Sequence, residues 1–291
     1  LWQSRGVRHR YECPMRWADL DQLGHVNNVV YVDYLQEARV DMLRAHGRGT
    51  EALASALVEG LVVARHEVTF LKPLTYDFRP VSIECWVTDI KAATFTMAYE
   101  IFDDGDAGER VVYLRATTVL TPYVFAEERP RRITHEERAA LEVHLEPDHQ
   151  PRRRTPPLPE PITAHYPIHV RFSDVDVYGH VNNVKYFEYL QEARISMVND
   201  LVPVRRFSVV VAQTDVDYVR PLLFRATPYD CRSTITRVGT RSMTVQSEFL
   251  DGDVVLARAN VVVVFFDLAS GRSTEPEPEV RAALLGAAHP D

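Results

Sequence analysis

One cluster of two aspartates, a histidine and two asparagines occurs twice in the sequence with the spacing Asp-x-Asp-x-x-Gly-His-Val-Asn-Asn. A carboxylate can act as a general base or a nucleophile, and an imidazole can assist proton transfer. Asparagine is a preferred helix N-cap, and a helix N-terminus offers free N–H groups and positive potential to a developing oxyanion. These are the groups that acyl transfer needs. The motif positions are Asp19, Asp21, Gly24, His25, Asn27 and Asn28 in the first copy and Asp174, Asp176, Gly179, His180, Asn182 and Asn183 in the second.

The same residue types also have structural explanations. Aspartate before a turn often caps a loop, glycine supplies a positive φ angle, and asparagine caps helices. We favour a functional interpretation because the two copies are nearly identical while the surrounding strands and loop lengths differ. A metal site is a weaker alternative, since no second His or Cys lies at a ligand spacing from His25 or His180. No G-x-S-x-G elbow occurs, so a serine nucleophile is not expected.

The two motifs belong to a longer duplication. Residues 16–43 align with residues 171–198 without a gap and share 17 identities in 28 positions. A repeat of this length indicates two whole domains rather than a solenoid. Because most homodimers are two-fold symmetric, we expect an intramolecular pseudo-dimer, with further self-association left open. We assign a first domain to 1–145, a stiff, exposed, proline-rich linker to 146–161 and a second domain to 162–291.

The segments after each motif predict the elements that position it. Apolar and aromatic residues recur at helical spacing, and Asn27 or Asn28, with Asn182 or Asn183, stand at the N-cap. Runs rich in Val, Thr, Ile, Phe and Tyr, separated by turn signals such as Asp-Gly, indicate antiparallel strands. Each half therefore predicts an α+β fold with a sheet wrapped around a central helix. The predicted strands are 61–71, 81–92, 94–103 and 110–125, then 207–219, 229–239, 242–250 and 253–267, with short helices at 134–145 and 277–287.

The composition excludes several classes of protein. With 291 residues, 46% of them hydrophobic and 25% charged, the chain is expected to fold as a soluble globular protein. A net charge of −8 argues against a general nucleic-acid binder. No apolar run approaches the roughly 18 residues of a membrane span. The three cysteines, Cys13, Cys85 and Cys231, are expected to be buried and reduced, which favours a cytoplasmic location.

A second repeated feature is the sequence QEAR, which follows each motif within the predicted helix. We expect Glu37 and Arg39, with their counterparts Glu192 and Arg194, to be structural. The prediction is that they form ion pairs at the interface between the two halves.

At the motifs, the sequence resembles the hotdog-fold thioesterases, in particular the 4-hydroxybenzoyl-CoA thioesterase-like group and the acyl-ACP thioesterases of plants and bacteria. The pattern D-x-D-x-x-G-H-V-N-N-x-x-Y carries the resemblance, and residues 174–190 are especially similar to the acyl-ACP thioesterases, which place two hotdogs in one chain. The resemblance covers both halves apart from the linker and ends. It implies an antiparallel sheet around a long helix, with active sites where two hotdogs meet.

The resemblance also implies roles for the site residues. The second motif aspartate, Asp21 or Asp176, matches the catalytic carboxylate. The first residues of the helix, which match Asn28 and Asn183, present the N–H that polarises the thioester carbonyl. In the plant-like enzymes a motif histidine takes part as well, and the matching residues are His25 and His180.

Two departures affect the choice of substrate. The plant-like enzymes have asparagine where this chain has Leu23 and Tyr178, which favours acyl-CoA over acyl-ACP substrates. The expected reaction is hydrolysis of acyl-CoA without a metal or organic cofactor. Gly24 and Gly179 would let the acyl group approach, and the motif asparagines belong to the predicted substrate-binding set. Acyl-ACP hydrolysis, non-catalytic binding of acyl thioesters and dehydratase or hydratase chemistry remain alternatives.

Overall fold

The computed structural model describes residues 6–46, 60–105, 108–148, 154–202, 208–267 and 269–289. The chain divides into two compact units, Leu1–Arg152 and Arg153–Asp291. Each unit contains an antiparallel sheet, one long helix and a shorter helix near its end. Within the described ranges, no helix combines the length and apolar character needed to cross a membrane.

The first unit is built around one five-stranded arrangement. In chain order its elements are β1 His9–Cys13, a 3-10 turn Trp17–Asp19, α1 Asn28–His46, β2 Leu61–Phe70, β3 Val81–Ile90, β4 Phe95–Asp104, β5 Arg110–Val124, a 3-10 turn Phe125–Glu127, β6 Arg129–Pro130 and α2 His135–Glu142. The strands run in the antiparallel order β1-β3-β4-β5-β2, and β6 pairs with β5.

Helix α1 packs on the inner face of this sheet. The Cys85 thiol on β3 lies 3.7 Å from the Ala38 carbonyl oxygen and 3.5 Å from the Met42 sulfur. The Tyr31 ring meets the Phe70 ring of β2 edge to face, with centroids 5.5 Å apart. Alternate strand residues face the helix because successive side chains of a strand point to opposite sides.

The second unit repeats this plan. Its elements are β7 Ala164–Ile168, a 3-10 turn Phe172–Asp174, α3 Lys185–Leu201, β8 Ser208–Tyr218, β9 Tyr229–Val238, β10 Ser242–Asp251, β11 Val254–Asp267, β12 Arg272–Ser273 and α4 Pro278–Ala287. The antiparallel order is β8-β11-β10-β9-β7, and β12 pairs with β11. Met197 of α3 packs into a core cluster formed by residues of β9, β10, β11 and α4.

The predicted elements agree closely with the observed ones. All eight predicted strands begin and end within two residues of the observed bounds, and both short terminal helices are present. The eight predicted strands do not include β1 and β7, which have only five residues each, or the two-residue strands β6 and β12. The three cysteines are buried and free, as predicted.

The segment 154–161, which we call the strap, is largely exposed but is also held by hydrogen bonds to the second sheet. The Thr155 N–H donates to the Asp217 carboxylate at 2.8 Å, and the Leu158 N–H donates to Glu248 at 3.1 Å. The Gln246 amide donates to the Pro156 carbonyl. The strap is therefore hydrogen-bonded to the outer face of the second sheet. Thr155 is buried, while Arg154, Pro156, Pro157, Glu160 and Pro161 are exposed as expected for this part of the linker. Residues 149–153 of the predicted linker lie outside the described residues.

Candidate active site

Each motif forms a tight loop that closes on itself. In the first copy Leu20 and Val26 form an antiparallel bridge, the Asp21 N–H donates to the His25 carbonyl at 2.8 Å, and the Gly24 N–H donates to the Asp21 carbonyl at 3.1 Å. Gly24 adopts a φ angle of 76°, a conformation that residues with a side chain rarely adopt.

The second copy has the same loop. The Asp176 N–H donates to the His180 carbonyl at 2.8 Å, and the Gly179 N–H donates to the Asp176 carbonyl at 3.1 Å. Gly179 adopts a φ angle of 80°. The space that a Cβ would occupy is open at both glycines, so the need for glycine lies in the backbone angle.

The second aspartate of each motif uses one carboxylate oxygen to hold its own loop. Asp21 Oδ1 accepts the N–H groups of Leu23 at 2.8 Å and His25 at 3.3 Å. Asp176 Oδ1 accepts the corresponding N–H groups of Tyr178 at 2.9 Å and His180 at 3.3 Å. No residue in the described parts of the chain donates a hydrogen bond to the Oδ2 atoms. Each half-buried carboxylate therefore keeps one oxygen available.

The first aspartate has a different surrounding. Asp19 is only 1% exposed, and its carboxylate accepts hydrogen bonds from the Arg16 N–H at 2.8 Å, the Arg16 guanidinium and the Tyr34 hydroxyl at 2.6 Å. Burial alone would raise the pKa of Asp19, but the hydrogen bonds from Arg16 and Tyr34 outweigh burial and hold the pKa below its ordinary value. This carboxylate is a structural anion that ties the 3-10 turn to α1.

The same framework supports the second motif. Asp174 is 1% exposed and accepts the Arg171 N–H at 2.9 Å, the Arg171 guanidinium and the Tyr189 hydroxyl at 2.6 Å. Burial again acts to raise the pKa of Asp174, and the hydrogen bonds from Tyr189 and Arg171 lower it below the ordinary value. The arginines and tyrosines were not singled out as partners of these aspartates in the sequence, although they recur at the same 155-residue offset.

The first asparagine of each pair accepts an N–H group in the segment that leads into the long helix. Asn27 Oδ1 accepts the Val29 N–H at 3.1 Å, and Asn182 Oδ1 accepts the Val184 N–H at 3.0 Å. The backbone N–H of each residue donates to the carbonyl of the first motif aspartate at 2.8 Å. In the first unit this resolves the N-cap in favour of Asn27, and Asn28 is the first residue of α1. In the second unit the helix begins at Lys185 with Val184 at the N-cap position, so the prediction of Asn182 or Asn183 as N-cap was wrong, and Asn183 lies in the turn before α3.

A helix tyrosine fixes a second loop against each motif. The Leu74 N–H donates to the Tyr31 hydroxyl at 2.9 Å, and the Leu74 carbonyl accepts the Val26 N–H at 2.8 Å. His25 and Thr75 form an adjacent antiparallel bridge. In the second unit Tyr186 and Leu222 make the equivalent contacts. The sequence indicated these tyrosines only as members of the helix pattern.

The contact that the structure gives between Asp21 and His25 runs through the histidine backbone. The loop therefore orients the histidine main chain, while the imidazole is half-buried at its rim. Exposed aromatic pairs lie beside each loop: Trp17 with Tyr76 at 6.3 Å, and Phe172 with Phe224 at 6.1 Å, both edge to face. Each motif loop therefore has an aromatic pair beside it.

The QEAR residues do not behave as predicted. Arg39 and Arg194 are buried, whereas Glu37 and Glu192 are exposed. Neither arginine forms an ion pair with a carboxylate among the residues that the structure describes. The predicted ion pairs are therefore wrong for this part of the chain. Over the same ranges, no group of three or more His, Cys, Asp or Glu side chains is arranged to hold a metal ion.

The thioesterase-like superfamily model matches residues 15–165 and 170–284, and each matched segment contains one motif loop. The chain belongs to the thioesterase-like superfamily. It is 32% identical over 126 residues to the uncharacterized protein YsmA of Bacillus subtilis (strain 168), and this match covers 40% of the chain and 82% of YsmA.

Solved structures show that the chain has the hotdog fold of these thioesterases. The 12:0-ACP thioesterase from Umbellularia californica is similar with a TM-score of 0.71 at 17% identity, covering 91% of this chain and 100% of that one. An acyl-ACP thioesterase from Bacteroides thetaiotaomicron gives a TM-score of 0.65 at 15% identity, covering 88% and 97%. At these identities the likeness concerns the fold alone.

Proposed function

We propose that this member of the thioesterase-like superfamily hydrolyses acyl-CoA thioesters to the free acid and CoA at its motif loops. One observation carries the proposal. In both copies a carboxylate with one unoccupied oxygen is held just before a helix N-terminus by hydrogen bonds from its own loop. A base or nucleophile beside free N–H groups is the arrangement that acyl transfer requires.

The free Oδ2 of Asp21 or Asp176 acts on the thioester. As a general base it takes a proton from water, the water oxygen bonds to the carbonyl carbon, and the carbonyl oxygen becomes an oxyanion. When this intermediate collapses, the carbon–sulfur bond breaks and the departing thiolate receives the proton. As a nucleophile, the carboxylate would instead bond to the carbonyl carbon, the carbon–sulfur bond would break with departure of the CoA thiolate, and water would then hydrolyse the resulting mixed anhydride.

The helix N-terminus stabilises the oxyanion. The first N–H groups of an α-helix have no acceptor within the helix, and they carry its positive dipole end. Asn28 presents such a group at the start of α1, and Asn183 holds the matching position in the turn that leads into α3. The contacts of Asn27 and Asn182 hold these segments in place. In this proposal the first asparagine of each pair positions the second.

The histidines and glycines of the motif complete the proposed site. His25 and His180 assist proton transfer near the aspartate that their backbones contact. Gly24 and Gly179 leave open space where a side chain would otherwise stand, and this space admits the acyl group. No metal or organic cofactor is required, because a thioester carbonyl is already activated.

Acyl-ACP hydrolysis is the second candidate. The two solved structures named above are described as ACP thioesterases. The residues Leu23 and Tyr178, which stand where the plant-like enzymes have asparagine, support CoA as the carrier instead. Release of thiol from matched acyl-CoA and acyl-ACP substrates of the same chain length distinguishes the two carriers.

The test of the proposal is thiol release from a panel of acyl-CoAs. Asp21→Asn, Asp176→Asn and the double variant keep an oxygen for the loop N–H groups but remove the base. We expect the double variant to lose activity, while Asp253→Asn, in an exposed turn of the second unit, retains it. An unchanged rate in the double variant would contradict the proposal, and tight binding without thiol release would instead favour a non-catalytic acyl-thioester binder.

A further inference from the structure

A buried arginine occupies the same position on the long helix of both units. Arg39 and Arg194 are separated by the 155 residues that relate the two motifs, and their exposed fractions are 6% and 9%. In the part of the chain that the structure describes, neither has a carboxylate partner. A buried cation without a counter-charge is costly, so the feature calls for an explanation.

In the first unit the arginine has a phenol beside it. Tyr99 of β4 is buried, and burial raises its pKa, while the positive charge of Arg39 opposes that rise. Cys85, opposite Tyr99 on β3, contacts the Ala38 carbonyl oxygen and Met42, which flank the arginine on α1. The turn of α1 that carries Arg39 therefore lies over the inner-face pair formed by Cys85 and Tyr99.

Strand pairing identifies the equivalent positions of the second unit. His9 of β1 lies opposite Cys85, and Ala164 of β7, which is 155 residues further along, lies opposite Ser233. Ser233 is thus the counterpart of Cys85. Ser233 pairs with Ser247 on β10, so Ser247 is the counterpart of Tyr99.

Packing on either side places the arginine-bearing turn of α3 over this serine pair. Before that turn, the Tyr189 ring lies 6.3 Å from the Phe249 ring of β10. After it, Met197 packs in one cluster with Val245 of β10. Ser247 is the inner-face residue between Phe249 and Val245. The Tyr99 ring beside Arg39 in the first unit is therefore replaced by the smaller Ser247 side chain beside Arg194 in the second.

The polar groups at this point have unused hydrogen-bonding capacity. The Ser233 and Ser247 hydroxyl oxygens are 2.8 Å apart and bond to each other. Each hydroxyl can donate once and accept twice, and a guanidinium has five N–H donors. Arg194 makes no hydrogen bond with a residue of the described ranges. Burial lowers the pKa of Arg194 to about 10, so it remains a cation at neutral pH.

We propose that Arg194, with Ser233 and Ser247, forms a subsite of the second unit for acyl groups that carry a carboxylate far from the thioester. This inference rests on the proposed hydrolysis of acyl thioesters and names a substrate class for one unit. A carboxylate supplies the missing counter-charge and accepts two parallel N–H groups of the guanidinium. A methyl end would leave the cation buried against hydrocarbon.

The length of helix between the two parts of the site sets the distance. At about 1.5 Å per residue, Arg194 lies about 14 Å along α3 from its first residue, Lys185, and Asn183, whose backbone belongs to the proposed oxyanion site, stands two residues before that. An acyl chain that reaches the arginine is therefore extended, and its carboxylate is at the far end. In the first unit the Tyr99 ring takes the corresponding space, so the two units differ in the acyl group that fits.

The subsite is tested with pairs of S-alkyl-CoA thioethers that end in either methyl or carboxylate, in short, medium and long chains. These probes bind without being hydrolysed. By calorimetric titration, we expect the wild type to prefer the carboxylate end at the fitting length. Arg194→Met should lose about ten- to a hundredfold of that preference, as expected for a charge-assisted hydrogen bond. The matched variant Arg39→Met should keep it.

Thermal unfolding separates this role from a purely structural one. Because Arg194→Met removes an unpaired buried charge, we expect its Tm to stay the same or rise. The subsite would be overturned if Arg194→Met lowered the Tm and left the preference for the carboxylate end unchanged. It would also be overturned if the wild type showed no preference for the carboxylate end at any chain length. Arg194→Lys, which keeps the charge without the planar guanidinium, should retain part of the preference. Retained preference without thiol release from the corresponding thioesters would refute the hydrolysis and leave the subsite standing.

Discussion

The two units share their motif loops almost bond for bond, yet the layers beneath their helices differ. On the inner sheet face of the first unit lie the buried polar residues Tyr99, Thr118 and His66, and a hydrogen bond of 2.9 Å joins the last two. Strand pairing puts Ser247, Val261 and Thr214 at the corresponding places of the second unit. The two motif loops are therefore more alike than the sheet faces beneath the two helices.

The outer sheet faces differ as well. In the first unit the face carries an ion-pair network in which Arg110 bonds to Glu84 and Glu100, and Arg115 also bonds to Glu100. In the second unit the equivalent glutamate, Glu248, accepts an N–H group of the strap. Glu248 also accepts the Arg258 guanidinium at 2.7 Å, the counterpart of the Arg115–Glu100 pair. The ion pair is therefore shared by the two outer faces, and the strap is the addition of the second unit.

The largest expected effect is on catalysis and tests whether the two loops are equal in function as well as in geometry. Removing a general base typically costs a factor of about 10² to 10⁴ in rate. We expect this loss in the Asp21→Asn, Asp176→Asn double variant. If both loops work, each single variant keeps about half of the thiol-release activity. A single variant that matches the double one would show that only one loop is active.

The next effect tests the equality of the two frameworks. Tyr34→Phe and Tyr189→Phe each remove a hydroxyl that donates to a buried carboxylate. A hydrogen bond to a charged group contributes about 1.5 to 3 kcal/mol, and we expect a loss of that size from both variants. Urea unfolding of each variant measures it, with Tyr123→Phe as a partly exposed control. Very different losses of unfolding free energy would mean that the two frameworks contribute unequally to stability.

The same aspartates predict a pH dependence. The folded-state pKa values of Asp19 and Asp174 lie below the ordinary value. Their stabilising contribution is therefore complete above the unfolded-state pKa of about 3.9 and is lost as the pH falls towards the lower folded-state pKa. Urea unfolding between neutral pH and the acid limit should show this decline. The tyrosine-to-phenylalanine variants should show less of it, and an equal decline in them would contradict the assignment.

A smaller effect concerns the motif glycines. Gly24→Ala and Gly179→Ala place a side chain at a positive φ angle, which costs about 1 to 2 kcal/mol. Because no atom lies near either added Cβ, we expect the same loss of unfolding free energy in both units. Gly286→Ala, in a helix and with open space around it, is the control and should be neutral or stabilising.

The smallest effect concerns the helix caps. Replacing an asparagine N-cap by alanine costs about 1 kcal/mol. We expect this loss for Asn27→Ala, whose side chain accepts an N–H of the first turn of α1. Asn182→Ala removes a bond to Val184 in the turn before α3, and we expect a smaller loss from it. Asn28→Ala should have less effect on stability, because the proposed role of this residue uses its backbone. If Asn28→Ala proved the more destabilising variant, the cap would be assigned to the wrong asparagine.

The sequence was sufficient for features that depend on local pattern. Period-two runs of β-branched and aromatic residues predicted the long strands, and the Asn-Asn pair marked the start of α1. Contacts between distant segments were beyond such patterns. The bond from Tyr31 to Leu74 joins residues far apart in the chain, and a tyrosine in a helix repeat is equally consistent with ordinary core packing.

Arg39 and Arg194 show a second limit of prediction from local sequence pattern. Glutamate and arginine two residues apart suggested an ion pair in QEAR, but residues with this spacing point to different sides of a helix. Arg39 and Arg194 consequently turn to the core while the glutamates face solvent. A helical projection of the sequence would have placed the arginines on the stripe of Leu35 and Leu190. It would not have shown the absence of a counter-ion.

The strap determines where the chain can be divided for separate expression of its halves. A fragment that begins at residue 162 leaves behind the N–H groups that bond to Asp217 and Glu248, together with the carbonyl that accepts from Gln246. Its sheet would present unsatisfied polar groups to other molecules and tend to self-associate. A fragment that begins at residue 154 keeps those hydrogen-bond partners. The chain should therefore be divided before residue 154 and not after the proline-rich strap.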